Sequence, residues 1–256
     1  MITAVCGGKG GTGKSTFSLY LALKRKALLV DTDVENPSLY AIAGQEIGEK
    51  VGDLYVKRAE LEREKCSKCG LCARKCRFNA IFWAPGGYPV ILEELCEGCG
   101  VCEIACPQRA MRMKRIKVGE VYLSKGKLRI LTAITGEEGG KIVPQLIEYA
   151  KKMDKEIILD CPAGLHCNAL HQMVEADEVF VVVEHSPLGF QALKETLKTL
   201  KELGKGAKVV VNKATGNINE FERTAREFGA EVVRVIPYKD EIARAYAEGR
   251  ILEVME

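Results

Sequence analysis

The chain has 256 residues, enough for one large domain or two smaller ones with separate hydrophobic cores. Its net charge of +3 is too small to predict binding to nucleic acid or to an anionic membrane. No apolar run approaches the roughly 20 residues of a membrane-spanning helix. The first residues lead directly into a predicted strand, so we expect a cytoplasmic protein without a signal peptide.

Alternating apolar strands and amphipathic helices predict an α/β fold. Residues 2–6 and 27–31 are apolar runs typical of buried strands, and residues 15–26 suit a helix that packs on a sheet. The pattern stops after residue 56 and resumes from residue 118. Further strands are predicted at 156–160, 178–183, 207–212 and 232–236, and further helices at 189–203 and 219–228. We therefore expect a parallel-sheet domain formed by residues 1–56 and 118–256, with residues 57–117 inserted after its second strand.

A glycine-rich loop follows the first predicted strand. Residues 8–15 read GKGGTGKS and match G-x-x-x-x-G-K-[ST] at every fixed position, which is the pattern of a phosphate-binding loop (P-loop). Its glycines let backbone N–H groups converge on phosphate oxygens, and the following helix N-terminus favours negative charge. A simple glycine-rich turn is the alternative. The predicted nucleotide-binding residues here are Gly8, Lys9, Gly10, Gly11, Thr12, Gly13, Lys14, Ser15 and Thr16.

The loop carries a second lysine, Lys9, and in this it resembles the deviant Walker A motif of the MinD/ParA-like P-loop ATPases. That resemblance implies ATP or ADP as ligand, Lys14 at the β- and γ-phosphates and Ser15 on Mg²⁺. In the family the early lysine crosses a dimer interface to the partner's nucleotide. Lys9 is therefore a candidate catalytic residue in a nucleotide-dependent homodimer. The alternative is a solvated lysine beside the phosphates of its own subunit.

Acidic residues at strand ends extend the resemblance. DTDVENPSL, from residue 31, is similar to the first switch region of the family, and it implies Asp33 as the residue that orients the attacking water and Asp31 near Mg²⁺. Asp160 ends an apolar strand, as a Walker B acid does, and can hold Mg²⁺ or its water. By resemblance the adenine base is contacted by Asn212, Pro237 and Tyr238. The lysine and acids predict a Mg²⁺-dependent ATPase.

The cysteines predict a second kind of site. Eight of the eleven cysteines lie between residues 66 and 106, which in a cytoplasmic chain indicates metal rather than disulfides. They form two repeats of C-x₂-C-x₂-C-x₃-C, the spacing of bacterial ferredoxins with two 4Fe–4S clusters, in which the fourth cysteine of each run ligates the other cluster. One predicted quartet is Cys66, Cys69, Cys72 and Cys106; the other is Cys76, Cys96, Cys99 and Cys102.

Zinc and disulfides are the rival interpretations of this segment. Zinc sites normally use two C-x₂-C pairs with a longer gap between them, so the spacing favours clusters. Arg77 stands where the second run has Pro107, a difference that leaves the ligands unchanged. The combination predicts a P-loop ATPase with an inserted α+β ferredoxin-like domain.

Two functions follow from this combination. In the first, ATP binding and hydrolysis in a dimer control electron transfer through the clusters to a redox partner protein. In the second, the protein is an ATP-dependent carrier or assembly factor for a metal or cluster. Purely structural clusters are a third alternative. The C-terminal segment 251–256 is short and acidic, unlike the basic amphipathic helix of membrane-cycling relatives, so we expect no membrane binding and no nucleic-acid partner.

Overall fold

The computed structural model describes residues 1–136 and 139–255, so Glu256 of the acidic C-terminal segment and residues 137 and 138 of the predicted ATPase domain lie outside it. The chain divides into two compact units. The larger unit comprises Met1–Gly52 and Glu120–Glu256, and the smaller unit is Asp53–Gly119. The segment predicted to be inserted, residues 57–117, falls within the smaller unit.

Eleven strands lie within the part of the chain that the structure describes. In chain order they are β1 (Ile2–Cys6), β2 (Leu28–Asp31), β3 (Glu46–Leu61), β4 (Ile81–Phe82), β5 (Val90–Ile91), β6 (Met111–Lys125), β7 (Ile130–Thr135), β8 (Ile157–Asp160), β9 (Glu178–Glu184), β10 (Lys208–Ala214) and β11 (Glu231–Pro237).

The same residues contain nine α-helices. They are α1 (Lys14–Arg25), α2 (Leu39–Ile42), α3 (Leu71–Lys75), α4 (Val101–Ile104), α5 (Gly139–Met153), α6 (Cys167–Glu175), α7 (Pro187–Glu202), α8 (Asn219–Glu227) and α9 (Asp240–Ala247). None of these helices has the length and apolar character that crossing a membrane would require.

The central sheet has the strand order β11-β10-β9-β1-β8-β2-β7-β6-β3. The pairs from β11 through to β7 are all parallel. Strand β1 lies inside the sheet, between β9 and β8, and its residues Ala4, Val5 and Cys6 are therefore fully buried. The α/β class with a mostly parallel sheet is therefore confirmed. The predicted strands and helices of this unit are present, with ends shifted by two residues at most.

Strands β3 and β6 were not predicted. They are 16 and 15 residues long and run across both boundaries between the two units, where the sequence pattern indicated only a break. Most of their residues are half-buried or exposed, and charged side chains are frequent in both. Apolar residues alternate with other residues only over short stretches, such as Leu54–Val56 and Ile116–Val118, so the pattern that identifies strands is weak here.

The smaller unit repeats its backbone as well as its sequence. Residues with positive φ recur thirty positions apart, at Gly70 (70°) and Gly100 (77°) and again at Asn79 (53°) and Arg109 (50°). Both glycines immediately precede a short helix, α3 or α4. Cysteines form much of the small core of this unit, whose buried members are Ala59, Cys72, Ala80, Ile81, Cys96, Cys102 and Met111.

Candidate functional site

The glycine loop of residues 7–13 connects β1 to α1, which is the position that phosphate binding requires. Gly13 has a φ of 90° and directly precedes α1, so a residue without a side chain is needed at this turn. Lys14 is buried, and its Nζ donates a hydrogen bond to the backbone carbonyl of Lys9 at 2.9 Å. The ammonium group is therefore held across the loop. Lys9 is exposed.

Asp31 and Asp160 are neighbours although 129 positions separate them in the chain. They are register partners in the parallel pair β2–β8, and each is the last residue of its strand. Ser15 and Ser18 of α1 each donate a hydroxyl hydrogen bond to the Asp160 carboxylate, both at 2.7 Å. The first turn of α1 thus faces two buried acids at the carboxyl edge of the sheet.

Burial dominates the electrostatics of these acids. Burial raises the pKa of Asp160 to about 6, although the hydrogen bonds from Ser18 and Ser15 and the nearby Lys14 ammonium act to lower it. Burial also raises the pKa of Asp31 to about 7. The hydrogen bond from the backbone N–H of Leu39 acts to lower this pKa, and the neighbouring Asp160 charge raises it further. The pKa of Asp33 is raised as well, again chiefly by burial. The site is therefore rich in carboxylates that have lost their hydration.

A cavity of about 580 Å³ opens beside the glycine loop. Of the predicted nucleotide-binding residues, Asn212, Pro237 and Tyr238 line it together with part of the loop and the start of α1. Gly8, Lys9, Gly10 and Thr12 are not among its lining residues. Its further lining is mainly apolar and comes from α9 and the C-terminal segment: Ile242, Ala243, Tyr246, Ile251, Val254 and Met255.

Two cavity residues that the sequence analysis missed form a pair. Arg234 of β11 donates to the Tyr20 hydroxyl at 2.6 Å, and its guanidinium lies 4.3 Å from the centre of the Tyr20 ring. Tyr20 lies on α1 and is therefore close to the loop in sequence, but Arg234 is brought there only by the placement of β11 at the sheet edge. No local motif identifies such a pair.

Lys213, also missed, contacts the glycine loop directly. Its Nζ donates to the carbonyl of Gly11 at 2.9 Å and lies 3.5 Å from the Glu184 carboxylate. The preceding residue, Asn212, donates from Nδ2 to the carbonyl of Thr12 at 2.8 Å. The signal that could have found Lys213 is its position, immediately after a polar residue near a strand end in an α/β fold.

The eight clustered cysteines line two small cavities in the smaller unit. One cavity is lined by Cys66, Cys69, Cys72 and Cys106, and the other by Cys76, Cys96, Cys99 and Cys102. Each cavity therefore collects three cysteines from one run and the fourth from the other. These are the two quartets that the spacing predicts.

The thiols surround these cavities and do not converge on single points. In the described residues, no three side chains of His, Cys, Asp or Glu are placed to hold one common metal ion, and none of the eleven cysteines forms a disulfide. Backbone N–H groups point at sulfur: Ala59 to Cys96 at 3.4 Å, and Ala110 to Cys106 at 3.2 Å. Cys69 and Cys99 are exposed to solvent.

The other three cysteines occupy different surroundings. Cys6 and Cys161 are buried in the larger unit, and burial raises the pKa of both thiols, that of Cys6 to about 12. The Cys161 thiol donates to the side-chain oxygen of Gln172 at 3.2 Å. Cys167 is exposed at the start of α6. Buried thiols of this kind behave as small apolar groups.

Known proteins resemble this chain over its full length and over a part of it. It is 30% identical over 263 residues to the uncharacterized protein MJ0579 of Methanocaldococcus jannaschii, covering 97% of this chain and 90% of that protein. It is 35% identical over 65 residues to pyruvate synthase subunit PorD of Thermotoga maritima, covering 25% of this chain and 66% of that protein.

The fold has solved counterparts. The septum site-determining protein MinD of Pyrococcus horikoshii, solved with Mg-ADP, matches with a TM-score of 0.55 at 20% identity, covering 97% of this chain and 86% of that chain. The sequence itself matches a family description from residue 3 to residue 252, nearly its whole length. This protein therefore belongs to the CobQ/CobB/MinD/ParA nucleotide binding domain family.

Proposed function

We propose that this protein is a Mg²⁺-dependent ATPase whose nucleotide cycle, in a homodimer, controls electron transfer to a partner protein through two 4Fe–4S clusters. One observation carries the proposal: each of two cavities in the smaller unit is lined by one complete quartet of cysteines, in a chain that also has a complete P-loop. Nucleotide binding and cluster binding are thus proposed for separate units of one chain.

The residues of the smaller unit fit a pair of clusters. A 4Fe–4S cluster takes four thiolates, one for each iron, so its ligands surround a space instead of a single ion. Zinc would need all four donors on one ion, an arrangement that the described residues do not offer. Backbone N–H groups directed at the sulfurs of Cys96 and Cys106 suit thiolate ligands. When bound, such clusters accept and pass on single electrons.

The partial relatives support a redox role. The 65-residue match is to a subunit of pyruvate synthase, and a match of 61 residues at 34% identity is to the delta subunit of an NADH-dependent phenylglyoxylate dehydrogenase of Aromatoleum evansii. The second name is that of an NADH-dependent dehydrogenase, and dehydrogenation is a redox reaction. We infer a redox partner protein and a reducing, cytoplasmic location, where thiolate ligands persist.

The larger unit supplies the groups that ATP hydrolysis needs. Lys14 would balance the charge of the β- and γ-phosphates once it exchanges the Lys9 carbonyl for phosphate oxygens. Ser15 and Asp160, already 2.7 Å apart, would hold Mg²⁺, whose preference is for oxygen ligands, with Asp31 beside them. Asp33 would orient the attacking water. The related MinD of Pyrococcus horikoshii was solved with Mg-ADP.

Other residues would contact the adenine base and the nucleotide of the partner subunit. Asn212 uses Nδ2 on the Thr12 carbonyl, which leaves its Oδ1 to accept a hydrogen bond from the adenine amino group. Pro237 and Tyr238, both in the cavity lining, would contact the base. The exposed Lys9 is proposed to reach the nucleotide of the partner subunit. Neither nucleic acid nor a membrane enters this proposal.

The test is a redox titration of anaerobically purified protein without nucleotide, with ADP and with a non-hydrolysable ATP analogue. We expect about eight irons per chain and a nucleotide-dependent shift of about 30 mV or more in at least one cluster potential. Identical potentials in all three states would contradict nucleotide control and favour the carrier or assembly function. A protein purified anaerobically without iron would contradict the cluster assignment itself.

A further inference from the structure

The two halves of the smaller unit carry opposite charge. Residues 63–77, around the first cysteine run, contain six cations and one acid, whereas the equivalent residues 93–107 contain four acids and no cation. The ligands and the turn conformations are the same in both halves. The duplicated fold therefore does not require these charges. Concentrating like charges is also unfavourable for folding, since they repel one another.

One cation of the first half, Arg74, contacts the exposed Cys69. Arg74 donates from Nη1 to the backbone carbonyl of Cys69 at 3.0 Å, and its guanidinium lies 5.8 Å from the centre of the Trp83 ring. Lys68 lies 4.5 Å from the centre of the Tyr88 ring. The hydrogen bond holds the Arg74 guanidinium beside Cys69. We name the six cations the basic face: Arg63, Lys65, Lys68, Arg74, Lys75 and Arg77.

Most cations of the basic face are exposed to solvent and form no ion pair in the described residues. Lys75 and Arg77 are exposed, and neither takes part in an ion pair within residues 1–136 and 139–255. Phe78, the next residue, is 45% exposed and gives the face an apolar contact point. A charged rim with an exposed aromatic residue is typical of protein interfaces that form and dissociate rapidly.

The second half presents a surface of opposite charge. Glu93, Glu94, Glu97 and Glu103 are all exposed, and the exposed thiol on this side is Cys99. A partner with a negatively charged surface is attracted by the first half and repelled by the second. Its encounter is thereby directed to the first cysteine run, which supplies Cys66, Cys69 and Cys72 to one cavity and Cys76 to the other.

We propose that the basic face is the docking surface for an acidic redox protein, which exchanges electrons with the smaller unit on the side of its first cysteine run, residues 66–76. This inference rests on the proposed electron-transfer function and specifies the partner of that function. Nucleic acid is disfavoured as the occupant. Single-stranded nucleic acid binds by stacking successive bases on open aromatic rings. The Tyr88 and Trp83 rings are approached by Lys68 and Arg74, which leaves Phe78 as a single open ring beside the face.

The test measures electron transfer from the reduced full-length protein to two oxidised probes under anaerobic stopped flow. The probes are an acidic rubredoxin and a basic cytochrome c. In Lys75→Glu/Arg77→Glu we expect the second-order rate constant with rubredoxin to fall about tenfold at low salt and to approach the wild-type value at high salt. The rate constant with cytochrome c should not fall.

Two further variants complete the comparison. In Lys75→Gln/Arg77→Gln the second-order rate constant with rubredoxin should fall less than in the double glutamate variant. Its neutral side chains match the neutral Ala105 and Pro107 of the second half, so folding and iron content should be retained. Glu93→Lys/Glu94→Lys, on the opposite half, should not slow the rubredoxin reaction.

Three results separate the possibilities. Unchanged rubredoxin rate constants in both basic-face variants, at full iron content, would overturn the docking surface and leave the proposed function standing. Retention of a single-stranded oligonucleotide that is lost in Lys75→Glu/Arg77→Glu would assign the face to nucleic acid. Wild-type protein without iron would remove the proposed function, and this inference with it.

Discussion

Lys213 donates a hydrogen bond from Nζ to the carbonyl of Gly11, and this bond ties the end of β10 to the glycine loop. Asn212 does the same for the next carbonyl, that of Thr12. Lys213 has a φ of 53°, unusual for a residue with a side chain, and lies where the β10–β11 register shifts. The irregular strand end therefore presents two consecutive side chains to two consecutive carbonyls. Fixing these carbonyls also fixes the direction of the loop's N–H groups.

Replacing Lys213 should weaken ATP binding without unfolding the protein. In Lys213→Met the Gly11 carbonyl loses a charged donor, and we expect the Kd for ATP to rise about three- to tenfold, less than loss of a buried charged hydrogen bond would cause, because this side chain is partly exposed. Titration calorimetry measures the change. Lys208→Met is the matched control, since Lys208 lies on the same strand but pairs with Glu178. Equal Kd values for Lys213→Met and wild type would contradict the role of the contact.

Gly13 combines two obstacles to replacement, a close side chain and a positive φ. A Cβ there would lie 2.1 Å from Nδ2 of Asn212, and the φ of 90° is itself unfavourable for alanine. Gly13→Ala should therefore displace Asn212 and abolish measurable ATP binding. Gly204 has a φ of 68°, and a Cβ there would meet no atom within 4 Å, so Gly204→Ala carries the backbone strain alone.

Thermal unfolding and nucleotide titration distinguish the two glycine variants. Both should lose about 1 kcal/mol of unfolding free energy from the strain of a left-handed alanine. Only Gly13→Ala should also lose nucleotide binding. If Gly204→Ala lost ATP affinity to the same extent, the effect would be a general loss of stability and not a collision with Asn212.

Local patterns accounted for much of this site before the fold was known. The glycine motif needs only its own sequence and the flanking apolar runs, and both Asp31 and Asp160 follow buried strands. The carboxyl ends of parallel strands share one edge of a sheet, so acids at those ends are expected to meet. The two cysteine quartets were predicted from the resemblance of the spacing to bacterial ferredoxins, in which the fourth cysteine of each run ligates the other cluster.

Contacts that depend on sheet order could not be predicted in this way. The Tyr20–Arg234 pair requires knowing that β11 lies at the edge of the sheet, and Lys213 requires the irregular register between β10 and β11. Strands β3 and β6 were missed for a different reason. Their apolar residues alternate with other residues only over short stretches and are interrupted by charged side chains, so the sequence did not indicate long strands there.

Replacing Lys14 and replacing Lys9 should affect ATP hydrolysis and dimer formation in different ways. Lys14→Ala removes the buried ammonium beside the phosphates and should lower ATP hydrolysis by at least about a hundredfold. Lys9→Ala should leave ATP binding to the monomer nearly unchanged, because the Lys9 side chain is exposed, but should prevent ATP-dependent dimer formation and hydrolysis. Sedimentation with and without a non-hydrolysable ATP analogue, alongside phosphate release, measures both. A Lys9→Ala protein that still dimerised and hydrolysed ATP would indicate a lysine that acts only as a solvated surface group.

Paired cysteine substitutions should show that each quartet draws on both runs. Cys69 and Cys106 line the same cavity although they belong to different runs, so Cys69→Ala/Cys106→Ala should lose one cluster and keep about half of the iron. Cys69 and Cys99 line different cavities, so Cys69→Ala/Cys99→Ala should lose both clusters. Iron analysis and low-temperature electron paramagnetic resonance of the reduced proteins measure the outcome. If each run instead held its own cluster, Cys69→Ala/Cys106→Ala would lose both clusters as well, and the two variants would not differ in iron content. The cysteine-to-alanine change at the buried Cys161, outside both cavities, is the control and should retain the full iron content.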